Sequence, residues 1–345
     1  MVFGQNLQKD VESITARLNK GEVISNAHYE KLINTYTNQF NADPDNAARL
    51  YFYYGENLYS TLKINEASES YVNAYNYSVK ATDTSLKYIA VLAFARISFY
   101  LEDYEKAESY YLYALPGIAA FLGQTSIDYT KIYYEYVKLL MTTKRFTEAK
   151  PSLDALEYYF KTLNLLNDRV YHFVLGHQAE ILQEEGKYKE ATEKYQSLLA
   201  DDLILKNGDT AGYFGIAINL ADLYRQMGEY EIALIHLKTV KQKAIRFHYQ
   251  NTVDYGRLHN MLGIIFKSLN DYKNAEDVFN DAIVLYKNLG LEKSESYCTV
   301  LSNKADLMRL LGRREEGFKL LDVALDIRKQ NFGDSTESYA NALSN

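Results

Sequence analysis

The fold is decided by a short stretch, GEYEIA at residues 228–233, whose pattern recurs along the chain at a fixed spacing. An aromatic or aliphatic residue is followed by two mostly polar residues and then by alanine. The gaps between successive final residues are 40 and then 42 five times. Such a constant period predicts repeated copies of one structural unit. The final residues, called anchors below, are Ala67, Ala107, Ala149, Ala191, Ala233, Ala275 and, in a degenerate seventh copy, Gly317.

Other positions keep the same phase as the anchors. The anchor and the fourth and seventh positions after it fall on one face of a helix, and they are mostly apolar in each copy. Small residues twelve positions before the anchor would let two helices approach closely. These earlier residues are Gly55, Ala95, Val137, Ala179, Ala221, Gly263 and Ala305. The residues at the fourth position after the anchor are Tyr71, Tyr111, Leu153, Tyr195, Leu237, Phe279 and Leu321.

Turn-forming residues separate the helical segments. Five positions before the anchor, glycine or asparagine can adopt the left-handed conformation that ends a helix. Side chains that cap the start of a helix are expected eighteen positions after the anchor. Each repeat is therefore predicted to be a helix, a tight turn, a second helix and a short loop. The predicted turn residues are Gly186, Gly228, Asn270 and Gly312, and the predicted caps are Ser85, Thr125, Asn167, Asp209, Asn251 and Ser335.

The repeat resembles the tetratricopeptide repeat, of which Ala221, Gly228, Tyr230, Ala233 and Ala282 show the best-kept positions. The resemblance covers roughly residues 45–345. The 42-residue period is longer than usual for the family and is similar to that of kinesin light chains and of bacterial arrays associated with CHAT protease domains. The resemblance implies an all-α, right-handed α-solenoid of about seven helix-turn-helix repeats.

The seventh repeat departs from the pattern at Lys304, Arg314 and Gly317, and we expect it to pack less tightly. Residues 1–44 follow helical spacing without the anchor phrase, so they are predicted to form N-terminal capping helices. Residues 45–331 form the predicted array of seven repeats. Residues 332–345 match the first half of a further repeat, which suggests a truncated eighth unit.

Composition bounds the class of function. The hydrophobic share of 47% supports a substantial core, and the net charge of −7 argues against a general nucleic-acid binder. We find no apolar run long enough to span a bilayer. The expected location is the cytoplasm by default, or a bacterial periplasm because the opening residues resemble the remnant of a cleaved signal sequence.

The sequence offers little sign of chemistry. His177 and Glu180 are three residues apart on one helical face, a geometry that permits metal binding, but no second pair converges on them. Cys298 has apolar neighbours and no local base, which favours a buried structural thiol. We therefore predict no catalytic residue, no metal site and no cofactor.

A peptide or protein ligand is expected in the concave groove that the first helices of such an array line. Residues 15, 11 and 8 positions before each anchor share one face of the first helix. The early repeats place aromatic residues there, and the late repeats place a basic row of Arg225, Lys267 and Arg309. The other residues of this predicted groove are Phe52, Glu56, Tyr59, Leu92, Arg96, Phe99, Tyr134, Lys138, Met141, Ile218, Asp222, Asn260, Ile264, Ser302 and Asp306.

Two alternatives stay open for the groove. The aromatic side chains could fill the interior of the helical stack, and Asp222 and Asp306 lie one turn from Arg225 and Arg309, so local ion pairs could cancel the basic row. The function that fits best is a non-catalytic, protein- or peptide-binding scaffold that forms the regulatory segment of a longer protein. The alternatives are the sensor arm of a CHAT-type protease or bacterial sensor kinase, and a peptide-signal receptor. The open C-terminal repeat is a further possible contact surface.

Overall fold

A computed structural model describes residues 4–200 and 210–332, and the side chains of all but residues 4, 5, 210, 211, 331 and 332 among them. Within these ranges the chain is helical and contains no strand, which confirms the predicted all-α class. The chain divides into two compact units, Met1–Leu139 and Leu140–Asn345. Each unit is considered by itself below.

The first unit is built from helices that run in consecutive pairs. A single turn of 3-10 helix, Thr37–Gln39, follows the second helix. The helices are α1 (Gly4–Asn19), α2 (Asn26–Tyr36), α3 (Pro44–Ser60), α4 (Ile64–Ser78), α5 (Ser85–Tyr100), α6 (Tyr104–Leu122) and α7 (Ile127–Thr142), the last of which ends in the second unit.

The second unit continues with the same alternation. Each second helix of a repeat begins three residues before its anchor, at the first residue of the recurring phrase. The helices are α8 (Phe146–Thr162), α9 (Arg169–Glu184), α10 (Tyr188–Ala200), α11 (Thr210–Gln226), α12 (Tyr230–Arg246), α13 (Val253–Ser268), α14 (Tyr272–Asn288), α15 (Glu295–Leu310) and α16 (Arg314–Phe332).

The turn inside each repeat has a left-handed residue five positions before the anchor, as predicted for the four repeats that have glycine or asparagine there. Gly228 has φ +76°, and the next amide, that of Glu229, donates to the carbonyl of Tyr224 at 2.8 Å. This bond satisfies a carbonyl that the end of the helix would leave open. The same position is left-handed in every repeat, at Leu62, Glu102, Lys144, Gly186, Gly228, Asn270 and Gly312.

The predicted caps were wrong by one residue. Asp168, Thr252 and Ser294 accept the backbone N–H bonds that begin α9, α13 and α15. The Ser126 hydroxyl likewise accepts from the amide of Tyr129. The loops carry two adjacent polar residues, and the cap is the one next to the helix, not Thr125, Asn167 or Asn251. Ser85 is already the first residue of α5, and the predicted caps Asp209 and Ser335 lie outside the described residues.

In two repeats a glycine of the first helix contacts a large side chain sixteen positions later on the second helix. A β-carbon added at Gly55 would lie 2.5 Å from the ring of Tyr71, and one added at Gly263 would lie 2.4 Å from the ring of Phe279. These distances show that the ring packs directly against the backbone of the first helix. The large residues are buried to 2% exposure or less in six repeats, at Tyr71, Tyr111, Leu153, Tyr195, Leu237 and Phe279.

The seventh repeat makes a close helix contact despite its departures. Gly317 is buried, and a β-carbon there would lie 3.0 Å from the carbonyl oxygen of Ala305. Leu307 and Met308 of α15 and Ala324 of α16 are fully buried. The missing methyl group at Gly317 lets α16 approach the backbone of α15. Looser packing of the seventh repeat as a whole stays a prediction.

The N-terminal helices have the amphipathic faces that their spacing predicted. Leu7, Val11 and Ile14 are at most 1% exposed and pack in one cluster with Tyr29 and Phe40. The function of residues 1–44 as a cap stays a prediction. Residues 333–345, which carry most of the predicted eighth repeat, lie outside the described part of the chain.

Replacing Gly263 with alanine should destabilise the second unit. The new methyl group would collide with the ring of Phe279, and such overpacking costs about 1–3 kcal/mol. Gly176→Ala is the matched control, because its β-carbon would meet only Ile216, at an ordinary 3.7 Å. That change should stabilise its helix by about 0.5–1 kcal/mol. Urea denaturation followed by circular dichroism compares the two, and equal stabilities would contradict the small–large contact.

Candidate functional site

The candidate site consists of the residues 15, 11 and 8 positions before the anchors, called the first-helix face below. In the first unit this face lies on α3, α5 and the first part of α7. Phe52, Tyr59 and Phe99 are partly exposed, as a ligand-binding surface requires. Leu92 and Tyr134 are only 3% and 8% exposed and present little surface to a ligand. The apolar and aromatic residues of this face are thus divided between the surface and the core.

The exposed aromatic side chains of the first unit are held by other rings. The ring centre of Phe52 is 6.0 Å from that of Tyr71, and the ring centre of Tyr59 is 6.3 Å from that of Tyr100. The ring centres of Phe99 and Tyr104 are 5.7 Å apart. Packed rings lose little conformational freedom when a ligand binds, because their rotamers are already restricted.

Arg96 is fixed between two carboxylates from neighbouring repeats. Its Nε and Nη2 each donate to Glu135 at 2.8 Å, and its Nη1 lies 3.4 Å from Glu56. Burial lowers the pKa of Arg96, but the two carboxylates raise it more, so the net shift is upward. The paired geometry makes Arg96 a rigid part of the face.

Buried hydroxyl groups complete this network. Tyr71 donates to Glu56 at 2.6 Å. Burial raises the pKa of Tyr71, and the neighbouring carboxylate raises it further, so the hydroxyl keeps its proton and remains a donor. Burial and then Glu135 raise the pKa of Tyr111 in the same way.

Lys138 covers one of the exposed rings. Its ammonium nitrogen lies 4.5 Å from the ring centre of Phe99, within the range of a cation–π contact. Burial and the positive charge of Arg96 lower the pKa of Lys138, and Glu135 raises it. The net shift of this pKa is downward, and burial is its largest cause. The first-helix face of the first unit therefore combines aromatic surface with charges that are already paired or in contact.

The predicted residues of the first-helix face in the second unit lie on α11, α13 and α15 and are mostly polar. Ile218 is 9% exposed, whereas Asp222, Arg225 and Asn260 are partly exposed. The side-chain amide nitrogen of Asn303 donates to the side-chain oxygen of Asn260 at 2.9 Å, so polar side chains of successive repeats meet on this face.

Each cation of the predicted basic row has a carboxylate partner. Arg225 binds Asp222 at 2.7 Å, Lys267 binds Asp306 at 2.5 Å, and Arg309 binds Asp306 at 2.7 Å. Burial raises the pKa of Asp306, but its bonds to Lys267 and Arg309 lower it overall. The geometry corresponds to the alternative in which aspartates on the same face offset the basic row.

Glu135 is not among the predicted residues of the first-helix face, although it joins Arg96 to the next repeat. A usable signal was present, because Arg96 and Glu135 are 39 residues apart, as are Lys267 and Asp306. This spacing is one repeat period less about one helical turn, so it places opposite charges across a repeat boundary.

The described residues show no arrangement for metal chemistry. His177 Nδ1 lies 3.1 Å from Glu180, and no group of three or more metal-ligating side chains occurs in the described ranges. Cys298 is fully buried, and burial raises the pKa of its thiol to about 11. Burial lowers the pKa of His259, with a further contribution from Lys241, to about 4, so this core imidazole is neutral at physiological pH. In the described part, no helix has the length and apolar character needed to cross a membrane.

Comparison with known proteins identifies the type of repeat. A sequence profile of the tetratricopeptide repeat matches residues 212–288. No curated protein sequence matches the chain. The helix pairs within residues 212–288 therefore resemble tetratricopeptide repeats in sequence.

Solved structures share the fold. A Rap protein in complex with Competence and Sporulation Factor has a TM-score of 0.60 at 13% identity, and the match covers 88% of this chain and 80% of that one. The apo quorum sensor NprR from B. thuringiensis has a TM-score of 0.58 at 15% identity over 99% and 97% of the two chains. A tetratricopeptide repeat protein from Parabacteroides merdae has a TM-score of 0.55 at 18% identity over 83% and 98%.

Replacing Arg96 with methionine should destabilise the first unit by about 1–3 kcal/mol, because Glu56 and Glu135 would be left without their shared cation. Arg17→Met is the control, since it removes an ion pair with Glu22 in which both side chains are well exposed. That change should cost less than about 1 kcal/mol. Urea denaturation measures both, and an Arg96→Met protein as stable as the parent would show that the network contributes nothing.

Proposed function

We propose that this tetratricopeptide-repeat chain is a non-catalytic binding protein that holds an extended peptide, or a segment of a partner protein, on the first-helix face of its first unit. The observation that carries the proposal is the set of partly exposed, ring-packed side chains Phe52, Tyr59 and Phe99 beside an arginine already fixed by two carboxylates. Aromatic residues and arginine often dominate the binding energy of protein interfaces.

The chemistry of this face favours apolar anchors in the ligand. The three aromatic side chains offer surface that a leucine-, isoleucine- or phenylalanine-like side chain can cover. Arg96 is saturated by Glu135 and Glu56, so it fixes the shape of the face and does not require an acidic partner. A ligand that buries apolar surface here gains roughly 25 cal/mol per Å² before the costs of ordering.

A receptor for a signalling molecule is the second candidate. NprR is named a quorum sensor, and the Rap structure contains Competence and Sporulation Factor. Both likenesses extend over most of this chain, which supports the receptor above a passive scaffold. The alternative of a sensor arm for a CHAT-type protease or a sensor kinase depends on residues 332–340, nearly all of which lie outside the described part.

Loss of an aromatic side chain from the first-helix face should weaken peptide binding at least about tenfold. Peptides would be selected from a random library against the full chain, and their affinities measured by fluorescence anisotropy for Phe99→Ala and Tyr59→Ala. Phe121→Ala and Tyr158→Ala are matched controls, because these side chains are 60% and 65% exposed on second helices.

The thermal midpoints of all four variants would be recorded, so that a loss of binding is not confused with unfolding. If the two control variants weaken binding as much as Phe99→Ala and Tyr59→Ala do, the ligand does not occupy the first-helix face. If the library yields no binder, the proposed peptide-binding function is wrong.

Charge reversal on the second unit should weaken an acidic peptide only several-fold. Lys267 and Arg309 already share Asp306, so much of their field is neutralised before a ligand arrives. Affinity of Lys267→Glu/Arg309→Glu would be compared at low and high salt with that of Lys189→Glu/Lys319→Glu, which changes the net charge equally on exposed parts of second helices. Equal effects of the two double variants would show that only the net charge of the protein acts on the peptide, without a specific contact at Lys267 or Arg309.

A further inference from the structure

The exposed side of α12 carries two large aliphatic side chains next to each other. Ile232 stands one position before the anchor Ala233, and Ile235 stands two positions after it. Their side chains are 46% and 67% exposed. Residues three apart lie on one face of a helix, so the two isoleucines form a small apolar surface in contact with water. Clustered exposed apolar side chains, unlike single ones, mark interaction surfaces.

The other repeats show that the fold does not need isoleucine at these positions. None of them has leucine, isoleucine or valine at either position, and acidic residues are the commonest type. One position before the anchor they have Glu66, Lys106, Glu148, Glu190, Asn274 and Glu316. Two positions after the anchor they have Glu69, Ser109, Pro151, Glu193, Asp277 and Lys319. The isoleucines of the fifth repeat are therefore not explained by packing within the repeat.

The rest of the exposed side of α12 is basic. Residues 232–248 contain no aspartate or glutamate, in a chain with a net charge of −7. Lys238 and Arg246 are exposed, and each lies near a ring. The Lys238 ammonium nitrogen is 5.9 Å from the ring centre of Phe266, and the Arg246 guanidinium carbon is 5.8 Å from that of Phe247. Neither cation forms an ion pair with a carboxylate in the described ranges.

These residues form one continuous strip along the helix. Ile245, which is 47% exposed, continues the apolar surface toward the end of α12. From Ile232 to Arg246 the helix is about 21 Å long, at about 1.5 Å per residue. The name α12 strip is used below for Ile232, Ile235, Lys238, Ile245 and Arg246. The strip combines apolar surface with positive charge that no described carboxylate neutralises.

We propose that the α12 strip docks an acidic amphipathic helix of a partner protein. Apolar side chains of that helix cover Ile232 and Ile235, and its carboxylates pair with Lys238 and Arg246. Charge complementarity selects the acidic partner, and the length of the strip matches a helix of about four turns. The strip lies on a second helix, so the proposal is independent of peptide binding on the first-helix face.

The neighbouring repeats favour a narrow partner over an anionic membrane surface. Glu190 and Glu193 of α10 and Asp277 of α14 are exposed at positions that correspond to those of the two isoleucines. A broad anionic surface that reached α12 would also approach these carboxylates, and like charges repel each other. A single acidic helix can lie on the α12 strip alone.

Two synthetic peptides test the proposal on the full chain. Each is an alanine-based helix of about 15 residues with leucine along one face. One peptide has glutamate beside the leucines, and the other has lysine at the same places. Fluorescence anisotropy should show at least about tenfold tighter binding of the acidic peptide, with an affinity that falls as salt is added.

The double variant Ile232→Glu/Ile235→Glu should weaken binding of the acidic peptide at least about tenfold, because it removes the apolar surface and adds negative charge. It restores the residue pair that the fourth repeat has at Glu190 and Glu193, so we expect it to fold. Val284→Glu/Val323→Glu is the matched control, since it makes the same change of charge at side chains that are 55% and 47% exposed on other second helices. Circular dichroism would verify that both variants are folded.

Absence of binding, equal affinity for the two peptides, or equal weakening by the two double variants would overturn the proposal. Binding to vesicles of phosphatidylserine and phosphatidylcholine without binding of the acidic peptide would overturn it in favour of a membrane surface. Self-association that Ile232→Glu/Ile235→Glu abolishes, seen by sedimentation without peptide binding, would assign the strip to a second copy instead. Peptides selected for the first-helix face should bind this variant as tightly as the parent, which keeps the two functions separable.

Discussion

The direct contact between a glycine of the first helix and a ring of the second helix, seen at Gly55 and Gly263, sets the approach of the two helices in those repeats. At Gly55 and Gly263 the ring lies where a β-carbon would otherwise be. This contact fixes how closely the two helices approach and which side of the first helix is buried. The opposite side of the first helix is then left for other contacts, and the first-helix face follows from this constraint.

Because the first helices are pinned in the same way, their free positions are placed regularly from one repeat to the next. Charged residues 39 apart in the sequence therefore meet, as Arg96 meets Glu135 and Lys267 meets Asp306. These pairs have two effects. They connect successive repeats, and they neutralise charges that would otherwise attract ligands without selectivity. In the first unit the surface that remains available is mainly aromatic, which is why the proposed ligand has apolar anchors.

The sequence predicted the helices and the positions of the turns well, because both depend on residues whose physical preferences are strong. It could not reveal that Leu62, Glu102 and Lys144 are left-handed, since none of them favours that conformation and the repeat geometry imposes it. The caps were displaced by one residue because neighbouring polar residues are equally able to cap. Within the site, spacing gave the aromatic and basic positions and the local partners Asp222 and Asp306. The pairs that cross a repeat boundary, Arg96 with Glu135 and Lys267 with Asp306, depend on tertiary structure and were not predicted.

The small–large contact also bears on how such a chain can change in length. Both members of the contact lie within one repeat, so a duplicated block of one repeat length carries its own contact with it. A copied repeat can therefore enter the array without compensating changes elsewhere. Its first-helix face takes no part in that contact and is free to diverge. Gene duplication in such a chain supplies new recognition surfaces on a scaffold that is already able to fold.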